Sequence, residues 1–295
     1  MSASETKQAV ASPPRPEPPV GPRLIRWGVT LAILIPFIWG VLGLEISPRR
    51  FAQAPELVWS IVSAMFPPDW SIIGRSIEKM LESLYIAWVA TIIGAVFSFV
   101  LGFLAATNMA PRWVATPVRA LLSAIRAFPE LVLAIMLIPA FGLGPFTGTL
   151  ALGLHSIGTL GKLTSEVIEG IDEGPLEAMK AAGGTKLSTI RFGVLPQAMP
   201  NILAYWLYRF EINVRASAVL GIIGAGGIGA DLFSFLKFRD FPQAGMTLLV
   251  VMVTVLVIDA VSGMVRRRII TGEPGTGPVA KLISLIGISR TTQNA

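Results

Sequence analysis

Six ionisable side chains interrupt stretches that are otherwise apolar, and their spacing is regular. Arg126 and Glu130 stand four residues apart, as do Glu211 and Arg215; Arg209 lies just before the second pair and Asp259 in a later apolar run. On a helix, a spacing of four puts two side chains on one face, where opposite charges neutralise each other. A charge inside an apolar segment is costly and faces a partner or a cavity, so each is a candidate for function. Guanidinium groups match the geometry of phosphate-like anions. Partial neutralisation by Glu130, Glu211 and Asp259 suits a path that has to release an anion after attracting it. The same zero sum also describes structural pairs that only hold a polar bundle interior.

A second pattern runs through His155, Thr159, Lys162 and Glu166, which recur at helical spacing beside Gly153, Gly158 and Gly161. It reads either as the lining of a path or as a close helix-helix seam. His155 is the only histidine and there is no cysteine. A transition-metal site or a Ser-His-Asp device would have to run through that one imidazole, which sets metalloenzyme and hydrolase chemistry aside. Pro129 removes a backbone donor and frees the carbonyl of Ile125, so a bend is expected beside Arg126, as a cavity wall or a moving joint. Gly224, Gly226, Gly227 and Gly229 satisfy G-x-G-x-x-G, but no strand precedes them and no acid follows at the right distance for a dinucleotide site. They read as an external glycine hinge. No G-x-x-x-x-G-K-[ST] stretch occurs, so this chain is not expected to bind or hydrolyse ATP itself.

The elements that carry these residues are membrane helices. Hydrophobic residues make up 53% of the 295 and charged residues 14%, against about 25% charged in soluble domains. Apolar runs at about 24–44, 84–106, 118–141, 146–167, 202–223 and 244–264 each approach the ~20 residues that cross a bilayer. An all-α integral membrane protein of six spans follows. Lys and Arg concentrate on the segments that are inside when the N-terminus is cytoplasmic, with Arg266, Arg267 and Arg268 after the last span. The net charge of +6 is therefore topological, and no nucleic-acid partner is expected; the surroundings are membrane lipid.

The chain divides into a Pro-rich disordered tail (1–22), a first membrane helix (23–45), an external loop (46–79), a core (80–270) and a cytoplasmic tail (271–295). The external loop carries an interfacial helix over 56–66, with Trp59 and Trp70 at the membrane surface. Inside the core, segment 171–196 lies between the fourth and fifth spans and is cytoplasmic in this topology. Pro175 suits a first helical position, and Glu173 and Glu177 favour a helix N-terminus. Gly183 and Gly184 can end that helix in a left-handed turn. Thr185 can cap a second short helix, 186–192, before Pro196 opens the fifth span. Helices this short need something to dock against.

Glu177 and Ala178, Gly183 six residues after the Glu, and Leu195-Pro196 closing the segment resemble the EAA loop of ABC importer permeases. Met179 stands at the second Ala of that pattern and Gly193 at its Ile. The stretches Arg126 to Leu131 and Glu211 to Gly229 resemble the phosphonate branch of these permeases. The resemblance implies a symmetric pair of permeases, cytoplasmic ATPase subunits that use ATP and Mg and receive the coupling helices, and an external substrate-binding protein. It implies import of phosphonate, phosphite or phosphate by alternating access. Glu177, Ala178, Met179, Gly183, Leu195 and Pro196 would couple to the ATPase. A permease for another small solute and a self-contained transporter or channel are the other readings, although internal repeats are not evident.

Overall fold

The structure, a computed structural model, describes residues 20–44 and 47–271. The expected tails therefore lie outside the described residues except at their inner edges. All regular structure among the described residues is helical. These residues form two units that divide between Ile61 and Val62, each taken by itself. The first holds α1 (Val20–Gly43) and most of α2 (Pro48–Ala64). Within α1, Ile25–Gly43 is long and apolar enough to cross a membrane. The helix expected over 56–66 runs instead over Pro48–Ala64, and Pro48 opens it at a position where its missing N–H is not needed.

In the second unit a short turn at Trp70–Ile72, capped by the Asp69 carboxylate accepting from the Ser71 N–H at 2.9 Å, leads into α3 (Ile73–Ala105). The expected external loop is thus too long at its end, because 73–79 is already helical. Paired charges sustain those turns: Lys79 meets Glu82 at 2.7 Å, and Arg75 meets Asp231 at 2.7 Å. At ~1.5 Å per residue α3 is about 50 Å long, so these turns project beyond the hydrocarbon.

The third span bends where Pro129 requires, and sharply. α4 (Arg112–Ala127) and α5 (Glu130–Phe141) meet at 89°. α6 (Pro145–Glu169) is the central helix. A Cβ at Gly158 would fall 2.9 Å from the Arg126 nitrogen, and one at Gly161 2.7 Å from Leu122, so these two glycines form a close seam with α4. α7 (Gly174–Ala181) and α8 (Lys186–Ser188) follow, and a π-turn over Thr189–Val194 feeds α9 (Leu195–Leu220). The expected second helix is therefore continuous with the fifth span. Pro196 explains the π-turn: it has no N–H for the Phe192 carbonyl, and the wider turn takes Leu195 N–H to the Ile190 carbonyl instead.

A short turn at Gly221–Ile223 leads to α10 (Ile228–Phe238), bent by 48° from what precedes it, and then α11 (Phe241–Thr271). The apolar-run reading misses α10 because the glycines before it leave too short a stretch to count as a span. α1, α3 and α11 are each long and apolar enough to cross, and the number reaches five when each of the two bent helix pairs is one span. α6, expected as a further span, has 25 residues, and its Gly, Ser and Thr content leaves it less apolar than those helices; small residues of this kind suit close packing against other helices.

Candidate functional site

Three of the intramembrane charges, Glu211, Arg215 and Asp259, find ion-pair partners, and they find them across helices. Arg215 Nη2 donates to both carboxylate oxygens of Asp259 at 2.7 and 2.8 Å. Glu211, buried on α9, accepts from Arg266 of α11. Two consecutive ion pairs of opposite sense thus join antiparallel helices. The expected pairing of Glu211 with Arg215 along one helix face is not formed: α11 presents a complementary charge at each level. Arg266, read from sequence as a topological anchor, is a bundle residue that also lies over the Tyr208 ring at 5.6 Å.

The Arg126 and Glu130 pairing is not formed either, and the bend is the reason. Arg126 ends α4 and Glu130 begins α5, so the two no longer share a helix face. Glu130 instead faces His155 Nε2 at 3.8 Å. His155 Nδ1 lies 3.0 Å from the Phe128 carbonyl; a carbonyl only accepts, so Nδ1 carries the hydrogen. Arg209 is 5% exposed and donates from Nε to Ser156 Oγ at 2.9 Å. Ser156 belongs to a buried network that the sequence reading missed: Asn213 Nδ2 donates to Ser156 Oγ at 3.1 Å and to Thr91 Oγ1 at 2.9 Å. α3, α6 and α9 are thereby tied together at one level. An Asn two residues beyond Glu211 in an apolar run was the available signal.

On the α6 stripe, Lys162 and Glu166 form an ion pair at 3.2 Å, and Thr159 returns its hydroxyl to the His155 carbonyl at 3.2 Å. Of the stripe, His155 alone belongs to the group at the bend. The glycine segment is a close-packed turn. Gly224, Gly226 and Gly227 have φ of 84°, 76° and 74°, values that L side chains avoid. A Cβ at Gly229 would overlap the Ala218 carbonyl oxygen. The Ile228 N–H donates to Ser83 Oγ at 3.0 Å, fastening the turn to α3.

The connection between α6 and α9 folds as its local chemistry requires. Pro175 sits in the first turn of α7. Gly183 (φ 74°) and Gly184 close a Schellman turn, with Gly184 N–H on the Met179 carbonyl and Gly183 N–H on the Lys180 carbonyl. The Thr185 hydroxyl caps α8 by accepting from Ser188 N–H at 3.3 Å. Leu176 is buried with Val194 and Ile168, and its Cδ1 would lie 3.5 Å from a Cβ at Gly193. Gly193 thus packs against Leu176 at a distance where a Cβ would make ordinary contact, and Met179 covers Gly184. Gln197 holds the loop before α7, accepting from Asp172 N–H at 3.0 Å and donating to the Gly193 carbonyl at 2.8 Å. Leu195 is half-buried and Pro196 exposed. Glu177, Ala178, Leu187 and Phe192 face outward, Leu187 at 75% exposed and Phe192 at 63%.

Beneath this connection lies a second cluster that sequence reasoning missed. Glu169 Oε1 accepts from Thr107 N–H at 2.7 Å, from Thr107 Oγ1 at 2.6 Å and from Arg119. Arg119 Nε also donates to the Ala105 carbonyl at 2.7 Å. Burial raises the Glu169 carboxyl, but the Thr107 hydrogen bonds and Arg119 outweigh it and hold it below the ordinary value. No group of three or more acidic or histidine side chains suited to a metal occurs among the described residues.

The described residues thus combine helices long and apolar enough to cross a membrane, two sharply bent helix pairs and a short helix pair between α6 and α9. A model of the family described as "Binding-protein-dependent transport system inner membrane component" matches residues 98–271, and the chain belongs to that family. It is a multi-pass membrane component of a transporter. It is 41% identical to the phosphite transport system permease protein PtxC of Stutzerimonas stutzeri, over 71% of this chain and 76% of that one. It is 37% identical to the phosphate-import permease protein PhnE of Mycolicibacterium smegmatis, over 85% of this chain and 48% of that relative, of whose length it thus spans about half. Among solved structures, a chain of the MetNI methionine ABC transporter in inward facing conformations aligns with a TM-score of 0.61 at 20% identity, covering 68% of this chain and 99% of that one. That likeness shows the fold.

Proposed function

We propose that this permease moves a phosphonate-type oxyanion, such as phosphite, phosphate or a phosphonate, into the cell by alternating access. It works as one of two identical subunits, with both termini cytoplasmic. An external binding protein delivers the anion, and cytoplasmic ATPase subunits, which alone use ATP and Mg, drive the cycle. The relatives named for phosphite and phosphate support the cargo class.

The observation that carries the coupling is the α7–α8 unit. Leu176 and Gln197 fasten it to the bundle, while Ala178, Leu187 and Phe192 face outward. An apolar side chain such as Leu187, exposed on a helix too short to stand alone, is suited to burial in a partner. Replacing Leu187 with Asp is expected to abolish co-purification of the ATPase while leaving the permease folded. Retention of the ATPase at wild-type yield contradicts the coupling role. Calorimetric titration of the partner binding protein with phosphite, phosphate and methylphosphonate, against methionine, tests the cargo class.

A further inference from the structure

We propose that the break between α4 and α5 is an oxyanion stop inside this chain, built around Arg209, and that Arg215 takes no part in it. The inference rests on the oxyanion reading above and divides the intramembrane charges into two sets. Arg215 is committed to both oxygens of Asp259, and Glu211 to Arg266. Those four charges cancel in pairs between α9 and α11, so each of these guanidinium groups already has a carboxylate partner.

Arg209 differs. Its side chain is almost wholly buried, and it lies outside ion-pair distance of every carboxylate among the described residues. Its one assigned hydrogen bond goes from Nε to the neutral Ser156 hydroxyl. The carboxylate whose charge reaches it is Glu130, and Arg209 and Arg126 both act electrostatically on His155. A guanidinium buried without a full counter-ion is expensive, and an anion bound beside it removes that cost.

The break supplies the rest of the site. Pro129 holds the N-cap position of α5 without a side-chain cap, so the first N–H groups of this 12-residue helix have no carbonyl of their own helix to bond. They add partial positive charge where Glu130 faces His155, whose chain neighbour Ser156 accepts from Arg209. Arg126 is exposed at the end of α4, on the other side of the 89° bend. Two guanidinium groups against the single carboxylate of Glu130 leave the site net positive. Glu130 also restricts the ligand. A carboxylate only accepts, so it repels an anion that lacks a proton and tolerates one that can donate an O–H. The ligand class is therefore a tetrahedral oxyanion that keeps an acid proton near neutral pH, as phosphate and alkylphosphonates do and sulfate does not.

The test uses the native absence of cysteine. Ala127→Cys, exposed at the end of α4, is labelled with a thiol reagent in the assembled importer, with oxyanion uptake measured on the same preparation. Inorganic phosphate well above its dissociation constant is expected to slow labelling about fivefold or more. Chloride at matched ionic strength and sulfate leave the rate near its starting value. Arg209→Gln and Arg126→Gln each remove the protection, whereas Arg215→Lys keeps it. Arg126 is exposed, so Arg126→Gln decides the matter if Arg209→Gln does not assemble. Protection that survives Arg126→Gln, or that chloride or sulfate reproduces, overturns the stop. Absence of all oxyanion uptake by the unsubstituted importer, by contrast, defeats the cargo reading on which it rests.

Discussion

Arg215 Nη2 lies 2.7 and 2.8 Å from the two carboxylate oxygens of Asp259, and this commits it to α11. Exchanging Glu211 and Arg215 would put Arg opposite Arg266 and Glu opposite Asp259. The exchange is expected to cost about 3–5 kcal/mol through the buried Glu211 position and to lower the melting temperature of the purified permease by several degrees. Exchanging Arg215 with Asp259 instead keeps opposite charges facing each other and should restore most of the stability. Equal stability of both exchanged variants contradicts the cross-helix assignment.

Gly229→Ala tests whether the glycine segment is a packed turn. The added Cβ meets the Ala218 carbonyl oxygen, a backbone atom that cannot swing aside. A loss of about 3 kcal/mol is expected, measured as reduced thermal stability and reduced yield. Gly43→Ala, where the added Cβ meets nothing, is the control. A Gly229→Ala variant as stable as that control contradicts the packing.

Gly183 is required for its conformation, since a Cβ there would meet nothing yet φ is 74°. A β-branched residue in that region costs roughly 1–2 kcal/mol or more and should open the Schellman turn. Gly183→Val is expected to separate ATP hydrolysis from transport or to release the ATPase. Wild-type coupling in this variant contradicts the role of the turn.

The bend and the projecting helix pair were legible in the sequence because each rests on local chemistry: Pro129 removes one donor, and Gly183 and Thr185 end and start helices within a few residues. The charge pairing was not legible. Spacing along one helix suggested Glu211 with Arg215, whereas Asp259 and Arg266 come from a segment more than forty residues away. Thr107, Arg119 and Glu169 were missed for the same reason: only the packing of α3, α4 and α6 brings them together.

That last cluster predicts an acid response. The folded state holds the Glu169 carboxyl below its ordinary value, so its contribution is complete above the unfolded value near ~4.3. It is lost as pH falls through the lower folded value. Melting temperature should therefore drop more between pH 5 and pH 3 for the wild type than for Glu169→Gln, which has no carboxylate to protonate. Parallel curves contradict the linkage.

Membrane orientation is tested by cysteines at Leu187 and Phe238, exposed at 75% and 68%, which should label from the cytoplasmic and external faces respectively. Labelling of both from one face contradicts the orientation proposed for the coupling helices.

The central claim is that this chain is the membrane path of an ATP-driven oxyanion importer. The most direct measurement is accumulation of radiolabelled phosphite, phosphate or methylphosphonate in vesicles holding the permease, its ATPase and the binding protein. The account predicts uptake that requires ATP and the binding protein together and disappears in Gly183→Val. Uptake that proceeds without ATP, or an importer that takes up methionine and none of these oxyanions, would contradict it.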